Sequence, residues 1–142
     1  MKRLLFTCLI LVFLFGCDND DVQPTKSDME FKELIVGTWV NSPKDSYYKK
    51  YGQITEYKNN GTLYFTGFSD AECKTQTVKI IGDWSIEDGH IYLRVTKSNT
   101  ELIAVGEIMS DKILDINEEE MELLSVEDNT KLYRARSPIC II

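Results

Sequence analysis

The side chains with the most chemistry to offer are four cysteines (Cys8, Cys17, Cys73 and Cys140), a single histidine (His90) and the run Glu118-Glu119-Glu120. A zinc site draws on Cys and His at close spacing; neither Cys73 nor Cys140 has such a neighbour, so no metal is expected. His90 follows Asp88-Gly89 with no serine or cysteine in a nucleophile motif, and reads as a surface imidazole. Three adjacent carboxylates do not converge on one point, which makes Glu118 to Glu120 a solvated turn. The chain contains no nucleophile elbow, P-loop, dinucleotide loop or His-Glu-x-x-His, so neither catalysis nor a cofactor is expected. Tyr47, Tyr48 and Tyr51, interleaved with Lys44, Lys49 and Lys50, read either as an aromatic and cationic lip over a pocket or as cover for a hydrophobic rim.

Cys17 closes a different pattern. Lys2 and Arg3 precede an apolar block over residues 4–15, the arrangement of a secretory signal whose cations stay on the cytoplasmic side. The block is too short to span a bilayer, which takes roughly 20 apolar residues. Leu14-Phe15-Gly16-Cys17 resembles the lipobox of bacterial lipoproteins, where a small residue must precede the cleaved bond. The resemblance implies cleavage after Gly16, a thioether-linked diacylglycerol on Cys17 and a further acyl chain such as palmitate on its freed amine. Two chains together anchor stably, at about 0.8 kcal/mol per buried methylene. An ordinary signal peptide with an incidental Cys17 is the alternative. Asp18 resembles the inner-membrane retention signal of enteric bacteria, whereas in other phyla acidic residues here accompany export to the outer membrane or surface. The expected location is therefore the bacterial cell envelope, with the choice of membrane open.

Loss of residues 1–16 leaves 126 residues, room for one compact domain. The full chain sets 16 Lys plus Arg against 23 Asp plus Glu, and without the leader 14 against 23, a net charge of −9. Such a surface disfavours nucleic acid and anionic headgroups alike, so acyl chains rather than a basic patch would hold the protein to a membrane. With Cys8 in the leader and Cys17 acylated, Cys73 and Cys140 remain as thiols or as one disulfide.

Residues 18–26 are acidic and polar with little to bury, a tether. Ser27 caps a short helix over residues 29–35, with Glu30 completing a capping box and Phe31, Leu34 and Ile35 at helical spacing. Short β-rich runs follow from Gly37. Asn60-Gly61 separates 53–58 from 62–66, and Asp88-Gly89 separates 78–86 from 90–96; both read as two-residue type I′ hairpin turns. Further strands are expected at 101–108, 112–116, 121–126 and 131–136. Leu63 and Phe65 share one face; Ile80, Trp84 and Ile86 share another, with Gly82 between them as a bulge or bend; Ile91, Leu93 and Val95 alternate with Tyr92 and Arg94. The fold class is all-β: a single antiparallel up-and-down β-barrel of about eight strands, which leaves no free edge, preceded by a short helix. A sandwich of the same strands is the alternative.

Gly37-Thr38-Trp39 at the head of the first strand, Trp84-Ser85-Ile86-Glu87-Asp88-Gly89 in the middle and Leu132-Tyr133-Arg134-Ala135-Arg136 at the end resemble, in order and spacing, the small lipocalin-like domains of bacterial lipoproteins. The resemblance covers residues 33–137, between a lipidated tether and helix start (17–32) and a tail (138–142). It implies a barrel closed at one end by Trp39 as a core plug, with Gly37 beside it and Arg134 or Arg136 stacked on the indole. It also implies a small hydrophobic or amphipathic ligand, for which Tyr57, Phe65, Trp84, Ile86 and Leu93 are the candidate interior residues. The ligands of the longer animal lipocalins do not carry over. A small barrel has room for little beyond its own side chains, so a pocket requires small or polar inward residues. The alternative is a non-enzymatic module that holds a protein partner by its outer surface or loops.

Strand count and the cysteines are linked. If residues 101–116 form one strand bent near Ser110-Asp111, there are eight strands, and alternating directions place the Cys140 tail at the opposite end from the Cys73 loop. If they form a hairpin there are nine strands, and both cysteines reach the same end. A bond there would close a long loop and contribute roughly 4 kcal/mol in an oxidising compartment.

Overall fold

The computed structural model describes residues 26–45, 50–136 and 140. The leader, Cys17, most of the tether, and Tyr47, Tyr48 and Lys49 lie outside the described residues. A helix, α1 (Asp28–Ile35), leads into eight antiparallel strands: β1 (Gly37–Asn41), β2 (Gln53–Tyr57), β3 (Thr62–Phe68), β4 (Gln76–Glu87), β5 (His90–Ser98), β6 (Ile108–Ile116), β7 (Glu120–Ser125) and β8 (Lys131–Ala135). Each strand pairs with the next and β8 pairs with β1, which closes the barrel in sequence order.

The helix forms where its caps lie. Ser27 Oγ accepts from Glu30 N and the Glu30 carboxylate accepts from Ser27 N, the reciprocal capping box. It is part of the compact fold rather than of a tether. The Asp28 carboxylate accepts from the amides of Asp88 and Gly89, both at 2.9 Å, and Lys26 Nζ donates to the Ile116 carbonyl. These bonds hold α1 across one end of the barrel. Ile35 is fully buried there, with Phe31 and Leu34 packed on the same cluster as Trp39, Ile86 and Ile116.

The two hairpins differ in a way their sequences do not show. Asp88 and Gly89 have φ of 49° and 70°, and Glu87 pairs with His90, the two-residue turn with positive φ at both positions. At Asn60-Gly61 only Gly61 has positive φ, at 84°. Lys58 N there donates to Thr62 O and Gly61 N to Lys58 O. That is the longer turn ending in a left-handed glycine, a correction to the two-residue expectation. Gly82 is at a register shift between β4 and β5, as its place in the alternation suggests.

Residues 101–107 are neither half of a bent strand nor one arm of a hairpin. They belong to a loop between β5 and β6, which Gly106 turns at φ 91° with its amide on Val95 O. Their alternation looks strand-like, but Leu102 is 88% exposed and has no sheet to face. Eight strands therefore arise from β6 alone.

Cys73 and Cys140 are nonetheless bonded, with Cα atoms 5.3 Å apart, contrary to the expectation that eight strands keep them at opposite ends. Barrel strands tilt, so strand ends on the two sides of a seam are not level. Ala135 at the end of β8 pairs with Val40, Val40 with Ile54, and Ile54 is two residues from Gly52. Gly52 lies against both sulfurs. The stagger thus brings the last strand almost level with the Cys73 loop. Two strand spacings of roughly 4.8 Å are within the reach of three connecting residues.

Trp39 is completely buried; its Nε1 donates to Ile35 O at 2.7 Å, and Arg136 Cζ lies 4.2 Å from its ring centroid. Replacement by alanine, Trp39→Ala, opens a large void in the closed end and is expected to lower unfolding free energy by about 3–5 kcal/mol. Urea denaturation of the two proteins measures the difference; a loss below about 1 kcal/mol would contradict the plug role.

Candidate functional site: the barrel cavity

The barrel is filled at the α1 end and hollow at the other. A cavity of about 470 Å³ opens between the loops that follow β5 and β7, within the usual range for small-molecule sites, about 300–1,000 Å³. Strand alternation builds it. Thr55 and Tyr57 of β2, Leu63 and Phe65 of β3, Ile91 and Leu93 of β5, Met109 and Asp111 of β6, Leu123 and Ser125 of β7, and Leu132 and Arg134 of β8 all face inward. Deep in the barrel the lining is apolar, because Tyr57, Leu63, Ile91 and Leu123 belong also to the packed core. Nearer the mouth, smaller or polar residues such as Gln53, Thr55, Ser110 and Ser125 leave space unfilled.

Of the residues proposed from sequence as interior, Tyr57, Phe65 and Leu93 line this cavity. Trp84 and Ile86 do not. Trp84 meets Tyr57 edge-on at 5.5 Å and donates its Nε1 to Lys58 O at 3.0 Å, while Ile86 is buried at the closed end. The end of β4 packs against α1, and Ile86 there joins the same cluster as Ile35 and Trp39. Burial pushes the Tyr57 phenol above its ordinary pKa, so it remains a neutral hydrogen-bonding group.

Gly37, Trp39 and Arg136 form the closure together. Arg136 Nη2 donates to Leu34 O at 2.6 Å and Val36 O at 2.8 Å while its plane covers the indole. Gly37, at φ 121°, lies where a Cβ would collide with the Arg136 guanidinium. Arg134 has a different role from the one its motif implies. It shares a face with Arg136 but lies two residues away, too far to cover the same ring, and points into the barrel. Its Nη1 pairs with Asp45 Oδ2 at 2.9 Å and also donates to Tyr133 O, in a buried position.

Asp111, which the sequence suggested only as a bend, is a half-buried carboxylate on the cavity wall. Burial is the main influence on it and raises its pKa; Arg134 acts in the opposite sense and Asp128 adds repulsion. Its signal in the sequence is the alternation Met109, Asp111, Ile113, which places one charge among inward apolar residues. His90 sits at the β4–β5 turn with Nδ1 2.8 Å from Asp88 O. Glu118 and Glu119 are exposed between β6 and β7 and Glu120 opens β7, its carboxylate paired with Lys44 Nζ at 2.8 Å. Tyr51 and Lys50 are exposed and do not line the cavity. Among the described residues no three His, Cys, Asp or Glu side chains gather as a metal site.

The closed eight-strand meander, the helix plug and the Trp–Arg stack set the comparison with solved structures. A crystal structure of a lipocalin-like protein from Bacteroides uniformis ATCC 8492 superposes with a TM-score of 0.50 at 12% identity, covering 72% of this chain and 98% of that one. The fold is lipocalin-like. An NMR structure of a protein from Bacteroides thetaiotaomicron VPI-5482 also aligns, with TM-score 0.48, 17% identity and coverage of 75% and 92%. No protein-family model and no curated protein matches the chain.

The raised pKa of Asp111 has a consequence for the lipocalin-like barrel. A carboxyl raised on folding adds stability below its unfolded pKa and loses it as pH rises through the folded value, so at neutral pH the ionised group is a cost. Asp111→Asn is expected to raise the melting temperature at pH 7, with the gain vanishing below about pH 4. Thermal melts across that range check it; a variant destabilised at pH 7 would show that the carboxylate has a stabilising partner.

Proposed function

We propose that this protein is a lipid-anchored envelope lipoprotein whose lipocalin-like barrel holds a small hydrophobic or amphipathic molecule, without catalysis. The observation that carries the reading is the cavity itself: about 470 Å³, apolar at depth and open at one end. An apolar hollow open to water gains free energy when filled by an apolar group. The sequence pattern Gly16-Cys17 supports the anchor, and no helix among the described residues is long and apolar enough to cross a membrane in its place. The acidic balance argues against nucleic acid as a partner.

One observation favours a second reading. Leu102, Val105 and Val126 on the loops around the mouth, and Ile108 at the start of β6, are each more than half exposed, and exposed apolar patches often mark contact with another protein. In that reading the rim, not the interior, is the working surface.

Two experiments test the proposal. An apolar fluorescent dye should bind the mature protein, and Ser125→Trp, which fills the cavity from β7, should weaken it by at least about tenfold, as loss of a buried site does. Mass spectrometry of protein purified from envelope without detergent should reveal a co-purifying small molecule; absence of both signals favours the partner reading. For the anchor, Cys17→Ser should abolish metabolic labelling by a fatty-acid analogue. Labelling that persists in the serine variant would place the acyl chain elsewhere and overturn Cys17 as the anchor.

A further inference from the structure

The charges on the cavity wall are unequal in a way that selects a ligand. Among the described residues Arg134 is the only cation lining it, and Asp45 Oδ2 pairs with that guanidinium at 2.9 Å. Three carboxylates, Glu107, Asp111 and Glu127, line the same space, and none has an ion-pair partner among the described residues. Glu107 Oε2 is occupied by the Ala104 amide at 2.9 Å, which fixes the β5–β6 loop, and Glu127 is exposed at the rim. Asp111 differs from both. It is half-buried on β6, between Met109 and Ile113 on the inward face, at the boundary where the apolar interior meets the polar mouth.

From this arrangement we infer that the cavity takes a cationic amphiphile, an apolar chain or ring system bearing one protonated amine or quaternary ammonium, with the cation against Asp111 and the apolar part toward Leu63, Ile91 and Leu123. The inference rests on the ligand-binding reading above and gives its chemical class. An anionic head would meet three unneutralised carboxylates and an arginine whose charge Asp45 already matches. A cation would instead supply the partner Asp111 lacks, in a place where low polarisability makes charge-assisted contacts strong. The volume suits a single chain rather than a two-chain lipid. The site would then hold its carboxylate at a cost to the empty barrel, which is the form a binding residue takes when its partner arrives with the ligand.

The test uses residues 18–142, the mature chain without its acylated Cys17, which contain the entire closed barrel, its helix and both bonded cysteines, produced under oxidising conditions. Decylammonium, decanol and decanoate share one chain length and differ in head charge. Titration calorimetry at neutral pH and low salt, below their aggregation concentrations, gives the three affinities. The expected result is decylammonium binding at least about tenfold tighter than decanoate, with Asp111→Asn reducing that preference to within about threefold. Glu127→Gln, at the exposed rim, should change it much less. NMR spectra of each variant confirm that the barrel remains folded. Equal affinity for all three probes, a preference for decanoate, or a cationic preference that survives Asp111→Asn overturns the charge inference while leaving a ligand-binding cavity intact. If none of the three binds the parent protein, the ligand-binding reading itself fails and this inference falls with it.

Discussion

The stack of Arg136 on Trp39 is the contact on which the rest of the barrel depends. A barrel exists only if its first and last strands meet, and here β1 and β8 share just two residue pairs, Val40 with Ala135 and Asn41 with Arg134. So short a ladder is a weak closure. Arg136 strengthens it from beyond the end of β8 by lying over the indole of β1 and donating to two carbonyls at the end of α1. One guanidinium thereby joins the last strand, the first strand and the helix. Gly37 completes the arrangement, since any side chain there would occupy the guanidinium's place.

Closure at one end leaves the other free to open. The closed end is packed like an ordinary core, with α1 laid across it and Ile35, Trp39 and Ile116 wholly buried. Toward the mouth the inward residues become smaller and polar, and no helix among the described residues covers them. The disulfide between Cys73 and Cys140 adds a covalent tie from the β3–β4 loop to the C-terminal tail. The mouth loops carry charge and exposed apolar side chains while the barrel is held by its packed closed end and, on the mouth side, by this bond and the Asp45–Arg134 pair.

The interior also separates two charges that the sequence does not distinguish from any others. Arg134 faces inward but is matched by Asp45, brought to it from the segment after β1. Asp111 faces inward without such a match. A barrel with no use for Asp111 would gain by replacing it with a neutral residue, and the polarity of the cavity follows from its presence.

Much of this was legible in the chain itself, because it depends on local chemistry. Ser27 and Glu30 specify a helix start, Asp88-Gly89 specifies a tight hairpin, alternation over β3, β4 and β5 specifies which side chains turn inward, and Gly37-x-Trp39 with a late arginine specifies the closure. What tertiary structure alone decided was relative placement. The 101–107 segment alternates like a strand, yet it meets β5 only at its end, where Gly106 and Glu107 bond to Val95, and Leu102 stands in solvent. Ile86 lies on the inward face like Phe65 and Leu93 but within the closed-end core, while Trp84, level with Leu93, gives its ring to Tyr57 and its Nε1 to Lys58 O. Arg134 and Arg136 are equivalent in pattern, and only the position of the indole assigns one to the closure and the other to Asp45. The level at which Ala135 meets Val40 is set by barrel stagger, a property of all eight strands together, and it is this that lets Cys140 reach Cys73. Periodicity along a strand determines which way a side chain points; how far along the barrel it sits, and what it finds there, is determined only when the sheet closes on itself.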